Sequence, residues 1–485
     1  MKKKILSFLL VLFLGCSVFL TGCKESVLTD NPDTNANVIS NGGMTVVKDD
    51  YLYYVNGYID VGDKSSFTAE DNEFGEVYKG AIYRTKLVNG EIVKNQDGFV
   101  EKTERVVPKV VGFDNGGFYI VGDYIYYATP YMNYSSGGDL QTSRVEFHKI
   151  KINGSKKSNS KIYTTSTAED ILDWTVYNVN NTVYILTYVN GKIISINASK
   201  NKVVAQIDVP SDQSYAFAYE TSYKPSEARG KELQNYVYFT RSSTTGESGN
   251  YICKFDVTNG TVTQLNTYDN YIYKIDSVIG DNLYYTKADA RYSSNASALL
   301  YRKPVDGSWA SVDEVNISGG KAYTNYYPCA FGDNMFVATD DKGTYLVEAG
   351  KRITLSSTKY DILNIFGSYV YYKSSGDAVT LGRFDLSSRN NLNDGEITTE
   401  NASTASKTHA LDNYHFIDFD NQRIYVFAEY TAENGDENYY LNYINRTTRT
   451  ERFVGKFENN DIPAKPKQDE DYGKDESVKY IPHID

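Results

Sequence analysis

The chain has 485 residues with 50 Lys+Arg against 62 Asp+Glu, a formal net charge of −12. That acidic balance argues against a nucleic-acid surface, which needs a basic patch to neutralise phosphates, while 41% hydrophobic against 23% charged residues is too apolar for a wholly disordered chain. Tyrosine dominates the aromatics, 45 against 21 Phe and 2 Trp, and there are only 10 prolines, a balance that favours strands, whose half-buried pleated surface suits aromatic rings.

Met1-Lys2-Lys3-Lys4 is basic and Ile5 to Gly22 is uncharged and apolar, the n-region and h-region of an export signal. The run ends in Leu20-Thr21-Gly22-Cys23, which resembles the lipobox of bacterial lipoproteins. The resemblance implies cleavage before Cys23 and diacylation of its thiol, and two acyl chains hold a protein stably to a bilayer. An uncleaved span is the alternative, but the run is at the short limit for one. The expected organisation is a signal peptide at 1–22, a flexible polar tether at 23–43, a folded body at 44–459 and a polar tail at 460–485 expected to be disordered. The expected location is the extracytoplasmic face of the cell membrane, anchored by lipid.

Cys16 leaves with the leader and Cys23 is acylated, so the folded body keeps Cys253 and Cys329. A disulfide between them would skip a whole repeat, and buried free thiols are expected. No Cys/His spacing points to zinc, and nothing calls for a metal or a cofactor.

Within the body a turn residue followed by an alternating aromatic strand recurs: Asp50-Tyr51-Leu52-Tyr53, Asp123-Tyr124-Ile125-Tyr126, Asn181-Thr182-Val183-Tyr184 and Asn235-Tyr236-Val237-Tyr238. It continues as Asp281-Asn282-Leu283-Tyr284, Asp333-Asn334-Met335-Phe336, Ser368-Tyr369-Val370-Tyr371 and Gln422-Arg423-Ile424-Tyr425. The mean step of about 53 residues is close to a four-stranded blade with its loops. An apolar strand precedes each unit, as in Phe118–Val121, and a third follows, running into Asn89-Gly90 or Asn259-Gly260, strong hairpin signals. A fourth comes after, such as Val203–Ile207. With no helical pattern between them, these elements predict an all-β fold, a β-propeller of four-stranded antiparallel blades, eight in number, with seven or nine also fitting the spacing. Nothing in the pattern marks a strand exchanged between the two chain ends.

Lys149, Lys151, Lys156, Lys157 and Lys161 fall on the third and fourth strands of the second module, and Arg446, Arg449 and Arg452 on those of the eighth. They read as charge protecting blade edges, with a polyanion contact as the alternative. Second-to-third strand connections are long in modules one, two, five and eight, and they share one face of a propeller, where function concentrates. Aromatics in those loops and outside the repeat, Phe67, Phe74, Tyr78, Tyr131, Tyr134 and Tyr292, are the candidate interface residues.

No catalytic motif occurs. His148 sits on a predicted strand, His483 in the tail, and His409 and His415 near the entry to module eight, as a site or as loop residues. Asp418 and Asp420 alternate on a predicted strand, and Asp340 and Asp341 share a hairpin turn before Gly343 that faintly resembles a sialidase Asp-box without its tryptophan. Asp469, Asp471, Gly473 and Asp475 miss the EF-hand calcium spacing.

The recurring hydrophobic-Tyr-Tyr unit, the lipobox and the acidic Tyr-rich body together resemble the tyrosine-rich propeller lipoproteins of the domain of unknown function 5050, similar in type to low-density-lipoprotein-receptor propellers though lacking their YWTD tetrapeptide. The resemblance covers about Met44 to Phe457 and implies a fold and a surface location, with no site residues. Gly191 to Ala198 resembles one module of the eight-bladed outer-membrane assembly lipoprotein. The expected function is a membrane-anchored binding or scaffold module for a protein or glycan. The alternative is a carbohydrate-active enzyme with carboxylates at the axial funnel, and acids from several first strands converging there would favour it.

Overall fold

In the computed structural model the strands and tight turns between Thr45 and Phe457 are described. Residues 1–44 and 458–485 lie outside the described residues, as do the longer connections, among them 56–70, 108–117, 135–139, 166–172, 218–234, 291–297 and 400–408. The fold is a β-propeller of small antiparallel sheets, each a meander whose strands neighbour one another in chain order. The third sheet shows the pattern, with Asp173–Val179, Thr182–Val189, Lys192–Asn197 and Lys202–Asp208 as first to fourth strands.

The sequence pattern explains this geometry. Neighbouring sheets face each other, so middle strands are covered on both sides, and Thr182–Val189 is buried at every position but its first. Outer strands meet water, and Lys202–Asp208 is mostly half-buried or exposed. The repeat aromatics Tyr53, Tyr126, Tyr184, Tyr238, Tyr284, Phe336 and Tyr371 are all buried, which makes them packing between blades. Asn89 and Gly90 hold φ of 53° and 77°, and Asn190 and Gly191 hold 52° and 70°, the left-handed pair that a two-residue hairpin turn requires. Cys253 and Cys329 are buried free thiols, and burial pushes the Cys329 thiol up to about 12.

A recurring tie crosses from one sheet to the next. Arg84, on the third strand of the first sheet, donates through Nη1 to the Ile152 carbonyl of the second at 3.5 Å. Lys149, at the equivalent place in the second, donates to the Ala198 carbonyl of the third at 2.9 Å, and Ser195 in the third donates to the Val257 carbonyl of the fourth at 2.7 Å. Arg84, Lys149, Lys254 and Arg383 each stand opposite a repeat tyrosine in the ladder and over the ring two residues before it, at 4.4, 5.6, 4.4 and 4.1 Å from its centroid. Lys149 is therefore corrected from an edge charge to a bond between blades, whereas Lys161 does lie on the outer strand, half exposed and paired with Glu146 at 3.3 Å.

The expectation of eight like blades also needs correction. Seven sheets, from Thr45 to Glu396, form the run of packed blades among the described residues. The eighth module is a different kind of sheet, with strands His409–Phe419, Arg423–Ala432, Glu437–Asn445 and Thr450–Phe453 and a fifth, Thr398–Thr399, added in parallel at its outer edge. Its first strand slips register twice. That strand lies against Asp361–Phe366 of the seventh sheet and against Thr45–Lys48 of the first, and Lys456–Phe457 pairs in parallel with Phe99–Val100. The two ends of the body are thus joined, by a pairing too short to leave a sequence signal.

Candidate functional site

Most of the candidate interface aromatics, Phe67, Phe74, Tyr78, Tyr131 and Tyr292, lie outside the described residues, as do Cys23 and Asp469 to Asp475. Tyr134 lies on a two-residue strand paired with Leu140, a small hairpin inside the second module's long connection. His409 and His415 are on a strand, not in a loop, with His415 in one of its register slips. Asp418 pairs with Tyr425 in the ladder, and Asp420 is outside the described residues. His148 is buried, its Nε2 2.8 Å from Glu146 Oε2, under the stacked ring of Tyr127. Among the described residues no three His, Cys, Asp or Glu side chains gather as a metal site would require, and no helix is long and apolar enough to cross a membrane.

The Asp340-Asp341 turn resolves into a tight hairpin, Asp340 pairing with Gly343. The Asp340 carboxylate accepts the Lys342 N–H at 2.8 Å and the Tyr345 hydroxyl at 3.0 Å, both on Oδ1. Gly343 is at φ 149°, and a Cβ there would collide with the Ser356 carbonyl. The Asp-box likeness is therefore accounted for by turn geometry, and this geometry holds Asp340 at the lip of a cavity.

That cavity, about 600 Å³, lies between the fifth and sixth sheets and is lined by Lys274, Ile275, Asp276, Thr286, Ala298, Ala322, Tyr323, Thr324, Asn325, Tyr326, Tyr327 and Asp340. Ala298 ends the second-to-third connection of the fifth sheet, Asp340 begins that of the sixth, and 322–324 belong to the connection between the two sheets. The cavity therefore opens on the face that carries the long connections. Asp276 reaches it through a β-bulge: Ile275 pairs with Tyr285 and Ser277 with Tyr284, leaving Asp276 as the extra residue. Bulges of this kind re-aim a side chain and recur beside functional sites.

The Tyr326 hydroxyl donates to the Ala298 carbonyl at 2.8 Å and accepts the Tyr323 N–H at 2.9 Å, so its ring is fixed against the wall. Desolvation raises the Tyr327 phenol, and the charges of Asp361 and Asp276 raise it further; Asp361 is the first residue of the seventh sheet's inner strand. Acids from two inner strands thus act on one tyrosine, and Asp340 acts on the neighbouring Tyr323. Asp276 stays exposed to solvent, and partial desolvation by the protein around it pushes its carboxyl up, to about 6, against the Ser277 hydrogen bond at 2.8 Å and the charge of Lys274.

Sequence reasoning passed over Asp276, although a signal was present. The inward positions Tyr273 and Ile275 alternate, and the next buried ones are Val278 and Ile279, a slip of phase that a bulge produces.

A consequence is testable. The folded pKa of Asp276 lies above the ordinary Asp value, so between about pH 4 and 6 the folded state holds more of this proton than the unfolded chain, and stability falls as pH rises through that window. Asp276→Asn is expected to raise Tm at neutral pH and to leave it nearly unchanged near pH 4, read by thermal unfolding of both proteins at both pH values. Equal shifts at the two pH values would mean that the carboxyl titrates normally.

No family model and no curated protein matches the chain. Among solved structures it is similar to a puromycin-hydrolyzing peptidase of Mycobacterium tuberculosis, at 10% identity and TM-score 0.41 over 72% of this chain and 53% of that one. It is similar to a prolyl endopeptidase at 10% identity and TM-score 0.41, over 85% and 55% of the two chains. It also resembles the β-propeller domain of the Trilobed protease from Pyrococcus furiosus, at 10% identity and TM-score 0.36, over 84% and 95%. The chain spans about half the length of the first two proteins.

Proposed function

We propose that the protein is a lipoprotein acylated at Cys23, held on the extracytoplasmic face of the cell membrane, whose propeller is a binding module for a glycan. The observation that carries the binding role is the bulge that delivers Asp276 into a tyrosine-walled cavity of about 600 Å³ on the loop-rich face. That volume falls within the range of small-ligand sites. Tyrosine rings offer apolar area to a sugar face, and carboxylates accept its hydroxyl protons. The membrane location rests on the leader and the Leu20-Thr21-Gly22-Cys23 signal, with residues 23–43 as tether.

A second reading, a carbohydrate-active enzyme, is favoured by one observation. A carboxyl raised to about 6 with two further acids nearby is the material of general acid catalysis.

The test is a thermal-shift screen of the full chain in detergent against cell-wall oligosaccharides, with release of reducing sugar measured for any that bind. A saccharide at about 100 times its Kd adds roughly 2.7 kcal/mol, which moves Tm visibly. Binding without release supports the binding module, and release supports the enzyme. No shift with any saccharide overturns the glycan reading and leaves a protein partner on the same face as the next hypothesis.

A further inference from the structure

We infer that the turns at one side of the face opposite the long connections form a docking surface for the anionic headgroups of the bilayer. The inference rests on the lipoprotein reading and deepens it, fixing how the anchored body sits on its membrane. Lys151, Lys157, Lys161, Lys200 and Lys202 are all exposed, and all lie at the end of the second and third sheets where first strands turn into second and third into fourth. The two groups adjoin: the Asn201 side-chain amide donates to the Lys161 carbonyl at 3.3 Å, and Lys149 Nζ donates to the Ala198 carbonyl at 2.9 Å. The turns there, 122–123, 152–159, 180–181 and 198–201, hold one acid, Asp123, in a chain of net charge −12.

Neither edge protection nor turn geometry accounts for these charges. Lys151 closes a third strand, and Lys157 and Lys200 stand in turns, so three of the five are off the outer strands that edge charge protects. At the place of Lys151, paired with Tyr124, the fourth and seventh sheets have Asp256 paired with Tyr236 and Asp385 paired with Tyr369. Those carboxylates cap the following turn by accepting the Thr258 and Ser387 N–H at 2.8 and 2.9 Å. The second sheet gives up that cap and places a cation there, its turn held instead by Ser158 Oγ, which accepts the Lys151 N–H at 2.9 Å. The charge is therefore a property of this side of the ring and not of the repeat. Val88, 51% exposed, ends the third strand of the adjoining first sheet on the same face and adds the apolar component that a membrane contact uses. An acidic body is repelled by an anionic leaflet except where such a patch faces it, since each lysine near the surface is attracted while distant charges are screened. The tether, residues 23–43, extends to at most about 70 Å, against a rise of about 23 Å for a seven-residue strand such as Val145–Lys151, so it can reach around the body from Thr45. This docking leaves the cavity and the long connections facing away from the bilayer.

The test uses the full chain, as its host processes it, added to preformed vesicles of phosphatidylcholine alone or of phosphatidylcholine mixed with phosphatidylglycerol. Flotation with the uncharged vesicles reports the acyl anchor, and a membrane-impermeant acetylating reagent followed by peptide mass spectrometry reports each lysine. On phosphatidylglycerol at low salt the five lysines are expected to react at least about fivefold more slowly than on phosphatidylcholine, the worth of holding one cation at an anionic surface. Lys192 and Lys342, beside second-to-third turns on the other face, are expected to react alike on both. Salt at about 1 M, which shortens the screening length to about 3 Å, is expected to remove the difference. Lys157→Gln, Lys200→Gln and Lys202→Gln combined, all at exposed positions, are expected to return Lys151 and Lys161 to their phosphatidylcholine rates while the variant floats as the parent does. Equal rates for the five lysines on the two kinds of vesicle overturn the docking surface and leave the anchor standing. Slowing of Lys192 and Lys342 instead overturns it by placing the other face on the membrane. Poly(glycerol phosphate) that slows the five lysines on phosphatidylcholine as much as phosphatidylglycerol does overturns the bilayer in favour of a soluble polyanion. Failure to float with phosphatidylcholine overturns the anchor reading, and the lysine rates on phosphatidylglycerol then decide the docking surface on their own.

Discussion

Arg84→Met is expected to lower the free energy of unfolding by about 3–5 kcal/mol, the cost of removing one partner from a buried ion pair. Arg84 is fully buried and its Nε donates to Glu104 Oε2 at 2.8 Å, with Glu104 only 15% exposed. The guanidinium also donates to the Tyr53 hydroxyl and to the Ile152 carbonyl, both at 3.5 Å, and its plane covers the Tyr51 ring at 4.4 Å. Methionine fills much of the stem's volume but takes the guanidinium away from the Glu104 carboxylate. Arg84→Lys keeps the charge and loses the fork, so an intermediate loss is expected. Urea unfolding followed by circular dichroism measures both, with an unchanged m value as the condition for comparing them. A loss under about 1 kcal/mol would mean that water reaches Glu104 once the guanidinium is gone, and that the tie from the first sheet to the second carries little of the fold's stability.

How much was legible in the sequence follows from which features are local. The strand-turn-strand repeat is written in local propensities, in turn residues such as Asn89-Gly90 and in the aromatic alternation around Tyr53 or Tyr238, so the sheets and their order are readable without coordinates. The last module carries the same local signals, and its departures, a parallel fifth strand at Thr398–Thr399 and two register slips before Phe419, come from pairing choices that no local pattern encodes. Lys149 reads as an edge charge because it stands in one basic run with Lys151 and Lys161; only the packing of the next sheet shows the Ala198 carbonyl within its reach. The cavity is non-local in the same sense. Asp276, Asp340 and Asp361 lie on three sheets and are drawn together by the ring, and of the three only Asp340 stands out in sequence, by its turn. The inner strands do read as apolar and Tyr-rich, and that average hides the carboxyl that a bulge sets at the cavity.

The other large effect is expected at Trp174, where Trp174→Ala should cost about 3–5 kcal/mol, the range for deleting a buried aromatic and leaving its cavity. Trp174 is 4% exposed on the inner strand of the third sheet. Its ring meets Tyr119 of the second edge-on, with centroids 4.8 Å apart at 75°, and Phe147 at 5.4 Å. The Tyr119 hydroxyl donates to the Trp174 carbonyl at 3.1 Å, a bond that alanine at 174 retains, so the loss reads the ring alone. Tyr119→Phe isolates the bond, at about 1 kcal/mol, and Tyr119→Ala, alone and combined with Trp174→Ala, gives the ring coupling, about 0.5–1.5 kcal/mol for an edge-on pair. In a propeller each sheet packs only on its neighbours, so stability is a sum of sheet and interface contributions. In a closed ring one weakened interface leaves the other sheets joined the long way round, through the first sheet and the last. Unfolding of Trp174→Ala is therefore expected to stay a single transition with an unchanged m value. A new early transition confined to the second and third sheets, seen as protease cleavage within 118–208 below the main midpoint, would show that the ring does not transmit its closure to that interface.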